Sequence, residues 1–462
     1  MSDALAADRA RLKTALDACA GLALLDGVLA DDTSRAVLAL FETLAAAAPE
    51  PRLVAACYGA AFRALAMVAL DEPPTGLADA WQAHLVNRLL DDANPWSAQV
   101  ERTLSENVAP TLRAQAIHDL RTLRLLFAID ADTALRLARA AVAETLPAQT
   151  EAWEPWSHLA PLAPPDERFA ARGAFARLAA SADDWATLLD PLERYWRRHG
   201  TGIIARHHML RWAGRERGLV GVAHPDPIRL DQLIAYEREQ GILATNLERF
   251  LAGLPAHDAL LYGPPGTGKS STVKALANAY AVAGLRLIEL RRDQLGDLDL
   301  VAAAVRDRAP RFLLFIDDLS FEEHETAYKG LKTLLEGAAE ARPANLLVYA
   351  TTNRFNLVRE RFSERAATVD DVHWSDTLDE KIALAERFGL RVTFAPPEQE
   401  RFLRIVVGLA ADRGIALPEE ELRARALAWE RARGRRSGRL ARQFVDELQA
   451  ELARVAPVAR HP

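Results

Sequence analysis

One glycine-rich stretch decides the fold: Gly263-Pro264-Pro265-Gly266-Thr267-Gly268-Lys269-Ser270. It follows the apolar residues 259–262, which are typical of a short buried strand, and it precedes residues 271–280, whose apolar positions recur at helical spacing. In the order strand, loop, helix, the pattern G-x-x-x-x-G-K-[ST] predicts a phosphate-binding loop. Its glycines let backbone N–H groups turn toward a phosphate, and the positive end of the helix dipole points to the same place. The alternative, an ordinary turn that contains a lysine, does not account for the flanking elements.

The side chains of this loop have separate expected roles. Lys269 would reach the β- and γ-phosphates of a nucleotide, and Ser270 would place its hydroxyl on Mg²⁺. The residues expected to bind the nucleotide are Gly263, Pro264, Pro265, Gly266, Thr267, Gly268, Lys269, Ser270 and Ser271.

Composition limits the classes of protein that the chain can belong to. Its 462 residues predict about three units at roughly 150 residues per domain. The formal net charge of −7 argues against a general attraction to nucleic acid or to an anionic membrane surface, although a local basic surface is compatible with it. Cys19 and Cys57 are expected to be buried free thiols. Because we find neither 18 uninterrupted apolar residues nor a signal peptide, we expect a cytoplasmic protein that does not enter a membrane.

The first part of the chain is rich in Ala, Leu and Arg. Residues 1–217 are therefore predicted to form an all-helical domain, and residues 218–227, which contain Gly and Pro, a linker. Its tryptophans could line a ligand groove, but packing between helices is the favoured interpretation. Adjacent histidines point in different directions on a helix, so His207 and His208 are not expected to form a metal site with His199.

Two later apolar runs end in polar residues. Residues 311–316 predict a buried strand that delivers Asp317 and Asp318 to its carboxyl end, the edge at which open α/β sheets bind ligands. We expect Asp317 to bind Mg²⁺, directly or through water. Residues 346–352 form a similar run that ends at Asn353, whose amide could hydrogen-bond the γ-phosphate or the attacking water.

Residues 228–395 are thus predicted to form an α/β nucleotide-binding domain, followed by a helical subdomain over residues 396–462. The arginine-rich turn 431–439 could contact nucleic-acid phosphates or place one arginine on a nucleotide, and the acidic net charge favours the second. The residues that could wall an adenine ring, or equally form plain core contacts, are Leu230, Leu233, Ile234 and Tyr236.

Five runs carry a resemblance to a known superfamily: LLYGPPGTGKSSTVKAL, FLLFIDDLSFE, YATTNR, EKIALAERFGL and SGRLARQFVDEL. Over residues 228–455 the chain resembles the AAA+ ATPase module and, more closely, a prokaryotic AAA+ family of ATP-binding proteins. The resemblance implies an α/β P-loop NTPase domain with a parallel sheet and a small helical lid, preceded here by the all-helical domain. It also implies ATP and Mg²⁺ as cofactors and a homo-oligomer.

The resemblance assigns roles to further residues. Asn353 matches the sensor 1 position, and Arg439, in the run Ser437-Gly438-Arg439, matches the sensor 2 arginine of the lid. The run that contains Arg387 looks like the box of bacterial replication initiators from which an arginine finger enters the neighbouring subunit's site in trans. Arg361 and Arg365 are the next candidates.

One position departs from the superfamily pattern. Most AAA+ proteins have Asp-Glu at the end of the acidic strand, and the glutamate positions the attacking water. Here the second acid is Asp318, which is one methylene shorter. Either water is held less well and turnover is slow, or Glu322 or Glu323 assists.

These motifs lead to three functional hypotheses. The leading one is an ATP hydrolase that drives a conformational change in, or remodels, an unidentified macromolecular partner, which the helical domain would bind. The alternatives are a slow nucleotide-dependent switch or scaffold and a DNA-associated loader. The last depends only on the initiator-like box and the arginine-rich turn.

Overall fold

The computed structural model describes residues 2–103, 107–159, 167–319, 330–332, 334–335, 342–353, 385–434 and 436–455. The chain divides into two compact units. The first consists of Met1–Arg206 and Asp307–Pro310, and the second of His207–Arg306 and Arg311–Pro462.

The first unit is built from helices, as the sequence predicts. Several begin where a side chain satisfies the free N–H groups of the first turn: Asp31 accepts from Thr33 and Ser34, and Asn94 forms a capping box with Ser97. In chain order the helices are α1 (Ser2–Cys19), α2 (Asp32–Ala45), α3 (Pro51–Asp71), α4 (Ala80–Asp91), α5 (Pro95–Arg102), α6 (Pro110–Phe127), α7 (Ala131–Val142), α8 (Pro147–Ala152), α9 (Ala170–Ser181), α10 (Leu189–His199) and α11 (Gly202–Arg206).

Tryptophans form much of the core of this unit, which confirms the packing interpretation for the five that are fully buried: Trp81, Trp96, Trp156, Trp185 and Trp196. Trp96 and Trp196 meet edge to face, with ring centroids 4.6 Å apart. Their indole N–H groups donate to Glu193 and to the carbonyl of Leu90, so the polar group of each ring is buried with a hydrogen-bond partner. Cys19 and Cys57 are free thiols that are half-buried, rather than fully buried as expected.

Helix α3 is the most apolar of these helices. It is long and apolar enough to cross a membrane, with a mean hydropathy of 1.9 over its most apolar window. A search for consecutive apolar residues does not find it because Arg63 interrupts the run. One face packs against α2, α4 and α7. Leu53, Met67 and Leu70, which lie outside the packed face, are 51%, 61% and 62% exposed.

A buried histidine ties α4 to the start of α2 and the end of α3. The ring nitrogens of His84 lie 2.7 Å from Glu72 Oε1 and 3.1 Å from Asp31 Oδ1. Asn87 also donates to Glu72, and Arg88 pairs with Asp31. Burial alone would lower the pKa of His84, but the hydrogen bonds and charges of the two carboxylates outweigh it and raise that pKa to about 9.

In the second unit a seven-stranded sheet has the order β2-β1-β4-β5-β6-β3-β7. All neighbours pair in parallel except β1 and β2, so the predicted parallel sheet is mixed at one edge. The strands are β1 (Met209–Trp212), β2 (Leu219–Gly221), β3 (Ala259–Tyr262), β4 (Leu285–Leu290), β5 (Arg311–Ile316), β6 (Leu346–Thr352) and β7 (Leu390–Thr393).

The two edge strands correct the sequence analysis. Residues 209–212 were expected at the end of the helical domain and residues 219–221 in a linker, but they form β1 and β2. The apolar residues of β1 are buried, and the strand pairs with β4, a contact between residues far apart in sequence. A four-residue strand has too short a pattern to be distinguished from the end of a helix.

Helices complete the second unit. The ones that accompany the sheet are α12 (Glu237–Leu251), α13 (Lys269–Tyr280) and α14 (Leu298–Val305), and the predicted small lid consists of α15 (Gln399–Asp412), α16 (Glu419–Arg433) and α17 (Gly438–Val455). The apolar residues Phe402, Ile405, Val406 and Leu409 of α15 are buried, and so are Phe444, Val445 and Leu448 of α17. These two helices pack against each other and against α16, which fixes the start of α17 relative to the rest of the lid.

The His84 cluster predicts how stability depends on pH. Because the pKa of His84 in the folded chain is above the value of about 6.5 for an unfolded histidine, its stabilisation is complete below about pH 6.5 and is lost as pH rises through about 9. We expect His84→Gln to lower the free energy of unfolding by about 3 kcal/mol near neutral pH, because the half-buried carboxylates of Glu72 and Asp31 lose the cation between them and only Asp31 keeps an arginine partner, Arg88. Denaturant unfolding between pH 6 and pH 10 measures both effects.

His118→Gln is the matched control, because His118 lies in the same unit and its side chain is 57% exposed. This control is expected to retain the pH dependence of the wild-type chain. A His84→Gln variant whose stability falls with pH as steeply as that of the wild type would contradict the assignment.

Candidate nucleotide-binding site

The candidate site lies at the carboxyl ends of three adjacent strands, β5, β6 and β3. Parallel pairing aligns Ile316 with Ala350, and Leu261 with Thr351. The residues that follow these strands therefore emerge side by side, although they are far apart in sequence. The sheet order alone brings the glycine-rich loop, the paired acids and the polar end of β6 together.

The loop after β3 has the geometry that the motif requires. Gly266 and Gly268 have φ values of +81° and +90°, which L side chains rarely adopt, and α13 begins directly after them at Lys269. Gly266 also approaches the lid closely: its carbonyl accepts from the Arg439 N–H at 3.3 Å, and an added Cβ would lie 3.2 Å from the Cβ of Arg439. The first turn of α13 lines the site, where its free N–H groups are suited to bind a phosphate.

Lys269 is held inside the loop. Its ammonium donates to the carbonyls of Gly263 at 2.6 Å and Pro264 at 3.1 Å, and to Asn353 Oδ1 at 3.0 Å. The residue is only 5% exposed, and this burial lowers the pKa of Lys269 despite the opposing charges of the two acids. The lysine and Asn353, both predicted to meet the phosphates, therefore lie in contact.

Oxygen atoms suited to Mg²⁺ converge beside the lysine. The hydroxyls of Ser270 and Thr351 both donate to Asp317 Oδ1, each at 2.6 Å. A serine hydroxyl and a carboxylate are hard oxygen ligands of the kind that Mg²⁺ uses together with waters and phosphates. The two predicted metal residues, Ser270 and Asp317, thus lie in direct contact and fit the ion.

The backbone conformation of Asp318 accounts for the departure from the superfamily pattern at this position. It has φ +53°, the left-handed region, which Asp and Asn adopt more readily than other side chains. Its N–H donates to the Thr351 hydroxyl at 2.9 Å, and its carboxylate accepts from the Asn353 amide at 2.5 Å. A shorter acid suits this backbone conformation, which sequence reasoning could not detect.

A pocket of about 480 Å³ connects these groups to the lid. Its size is within the range of small-molecule sites, and its lining combines polar with apolar residues, as a nucleotide needs. The lining residues are Gln232, Leu233, Ile234, Tyr236, Pro265, Gly266, Thr267, Gly268, Lys269, Ser270, Ser271, Thr272, Asp317, Asp318, Thr351, Asn353, Ile405, Leu409, Gly438, Arg439 and Arg442.

Sequence reasoning missed several of these lining residues. Thr351 lies two positions before Asn353 and therefore on the same face of its strand, and Arg442 lies one helical turn after Arg439. Both spacings are visible in the sequence once the functional partner is known. The contributions of Gln232, Ile405 and Leu409 depend on how the lid packs, which no local pattern indicates.

The proposed fingers and auxiliary acids lie apart from this pocket or outside the described residues. Arg387 is half-buried just before β7 and does not line the pocket. Arg361, Arg365, Glu322 and Glu323 lie outside the described residues, so the structure does not test them.

Comparison with known proteins places this unit in a family. Residues 205–452 match the family described as "Protein of unknown function (DUF815)". The Replication factor C large subunit of Ignicoccus hospitalis is 29% identical over 120 residues, covering 24% of this chain and 25% of that protein. The 26S proteasome regulatory subunit 6B homolog of Saccharomyces cerevisiae is 27% identical over 187 residues, covering 36% of this chain and 38% of that protein. The chain thus spans well under half the length of these curated relatives.

Among solved structures, Thermotoga maritima RuvB proteins align with half of this chain. One of them, a single-residue variant, has a TM-score of 0.36 and 18% identity, covering 50% of this chain and 66% of its own. The structure described as the RuvB Holliday junction branch migration motor has a TM-score of 0.35 and 16% identity, with the same two coverages.

The left-handed conformation of Asp318 predicts an unusual order of stabilities. At most positions Ala stabilises a chain by about 0.4–1 kcal/mol relative to Gly, because Gly is more flexible when unfolded. At φ +53° the Cβ of Ala costs about 1–2 kcal/mol, so Asp318→Gly is expected to be the more stable of the two variants. Denaturant unfolding of both variants gives the difference directly. An Ala variant more stable than the Gly variant would contradict the conformation.

Proposed function

The chain belongs to the DUF815 family, and its second unit is an AAA+ ATPase module; from this premise we propose that it binds Mg-ATP and hydrolyses it to change the conformation of a macromolecular partner. One observation carries the proposal. Lys269, Ser270, Asp317 and Asn353, drawn from three separate parts of the sequence, meet in one pocket beneath the lid arginine Arg439.

The residues of the pocket would have different roles in phosphoryl transfer. Lys269 and the N–H groups at the start of α13 would hold the phosphates, and Ser270 with Asp317 would hold Mg²⁺. Bound Mg²⁺ neutralises charge on the phosphate oxygens. Asn353 and Asp318, joined by a hydrogen bond, would orient the attacking water, and Arg439 would bring the lid onto the nucleotide. The apolar lining residues Leu233 and Ile234 would pack against the base.

The geometry of Asp318 also supports slow turnover. Its side chain is one methylene shorter than the glutamate of most AAA+ proteins, so its carboxylate reaches less far toward a water, even with the Asn353 amide beside it. A nucleotide-dependent switch that hydrolysis resets is therefore the second candidate function. The two candidates differ in rate and share every binding residue.

An oligomer is part of the proposal because the curated relatives are described as subunits. We assign the arginine finger to Arg387, which would act in a neighbouring copy. An arginine supplied in trans is worth about 10³–10⁵ in rate, or some 4–7 kcal/mol at 1.36 kcal/mol per decade. The single chain should then be nearly inactive.

The partner is proposed to be a protein bound by the helical unit, in the cytoplasm. The exposed apolar residues of α3 support this assignment, since exposed apolar surface often marks interaction sites. A nucleic-acid partner has weaker support. In the arginine-rich turn, Arg433 lies over the Trp429 ring at 3.4 Å and Arg436 pairs with Glu430 at 3.3 Å, so these charges are engaged within the chain.

Substitution of the loop lysine tests nucleotide binding. Lys269→Ala is expected to reduce ATP binding by at least about 100-fold, because the phosphates lose their buried cation. Lys274→Ala is the matched control, since Lys274 lies on the same helix and does not line the pocket. Titration calorimetry measures ATP binding, and unchanged binding by Lys269→Ala would contradict the proposal.

Substitution of Asp318 tests hydrolysis. Asp318→Asn should bind ATP and stall before hydrolysis, which phosphate release measures.

Substitution of Arg387 tests the finger in trans. Arg387→Ala is expected to bind ATP normally and to lose about 10³-fold or more in turnover, while Arg391→Ala, four residues along the chain, retains activity. Turnover per subunit should rise steeply with protein concentration in the wild type. Concentration-independent turnover favours the switch, and strong hydrolysis by Arg387→Ala excludes Arg387 as the finger. Stimulation by DNA favours the loader.

A further inference from the structure

Thr351 is the last residue but one of β6 and lies beside both acids. Ala350, the residue before it, is paired with Ile316, the last residue of β5. The residues that follow this pair, Thr351 in β6 and Asp317 just after β5, therefore lie side by side. Thr351 is only 1% exposed, so its side chain is enclosed among the groups it contacts.

The Thr351 hydroxyl makes two hydrogen bonds of opposite sense. It donates to Asp317 Oδ1 at 2.6 Å and accepts from the Asp318 N–H at 2.9 Å. A hydroxyl carries one donor and two acceptor lone pairs and can fill both roles, whereas a methyl group fills neither. One atom thus fixes a carboxylate oxygen and the backbone of the following residue.

The backbone of Thr351 extends this contact by one residue. Its carbonyl accepts from the Leu319 N–H at 2.7 Å, and Leu319 is fully buried. Thr351 therefore holds three consecutive residues at the end of β5. An unfavourable backbone conformation such as φ +53° at Asp318 persists only where its surroundings specify it, and these two N–H contacts flank it.

We propose that Thr351 is a positioning residue of the magnesium site: its hydroxyl orients the Asp317 carboxylate toward the metal and keeps Asp318 in its left-handed conformation. The inference builds on the proposed function, because it concerns the same site. Thr351 itself would touch neither the metal nor the nucleotide.

The expected consequence is a change in metal affinity rather than in nucleotide affinity. Partners that orient a metal ligand typically change metal affinity by about 10–100-fold when removed. Lys269 and the loop N–H groups, which would hold the phosphates, do not hydrogen-bond to Thr351 in the described contacts. Binding of nucleotide without metal should therefore survive the loss of this hydroxyl.

The test uses a fluorescent ATP analogue, titrated against the full chain in EDTA and at a series of Mg²⁺ concentrations. For Thr351→Val we expect an affinity within about twofold of the wild type in EDTA, and an approximately tenfold higher Mg²⁺ concentration for the half-maximal effect of the metal. Thr351→Ser retains the hydroxyl and should restore the wild-type Mg²⁺ dependence. Thr351→Ala repeats the test with a smaller side chain if the Val variant does not fold.

Thr352→Val is the matched control, because Thr352 is equally buried, is the next residue of the same strand and has its side chain on the opposite face. It should leave the Mg²⁺ dependence unchanged. A wild-type Mg²⁺ dependence in both Thr351→Val and Thr351→Ala, or an equal shift in Thr352→Val, overturns the role of Thr351 alone. A wild-type chain that binds the analogue equally with and without Mg²⁺ overturns the metal site in the proposed function, and this inference with it.

Discussion

Asp317 Oδ1 is the atom on which the site depends, because it accepts hydrogen bonds from the loop residue Ser270 and from Thr351 of the neighbouring strand. From Thr351 the contacts continue through the Asp318 N–H, the Asp318 carboxylate and the Asn353 amide to Lys269. Since Lys269 precedes Ser270, these hydrogen bonds and the covalent bonds of the chain together form a closed ring. Each member of the ring orients the next, so a change at one residue is expected to disturb groups that it does not touch.

This ring exists because of the order of the strands. In the sequence, 47 residues separate Ser270 from Asp317, and Thr351 lies 34 residues further along. Parallel pairing of β5 with β6 and of β6 with β3 brings their carboxyl ends to one edge, where the loop, the acids and the amide meet. The lid adds Arg439, whose backbone N–H contacts the loop at Gly266. The fold thus supplies position, and the side chains supply charge and hydrogen bonds.

Most of the site could be predicted because its residues belong to short patterns that are local in the sequence. The loop, the strand that ends at Asp317 and the position of Asn353 follow from glycine spacing and apolar runs. The contact between Thr351 and Asp317 could not be predicted, since the residue of β6 that lies beside the end of β5 depends on the register between the two strands. The same limit applies to β1, four residues whose pairing partner lies far along the chain. The left-handed backbone of Asp318 is likewise a property of its surroundings.

The most direct measurement is a crystal structure of the full chain with magnesium and a non-hydrolysable ATP analogue. We expect phosphates against Lys269 and the N–H groups that begin α13, a metal ion bound by Ser270 and by Asp317, directly or through water, and the base beside Leu233 and Ile234. Thr351 should keep its hydrogen bond to Asp317 there. A nucleotide bound elsewhere, or a metal ion away from Asp317, would contradict the proposed site.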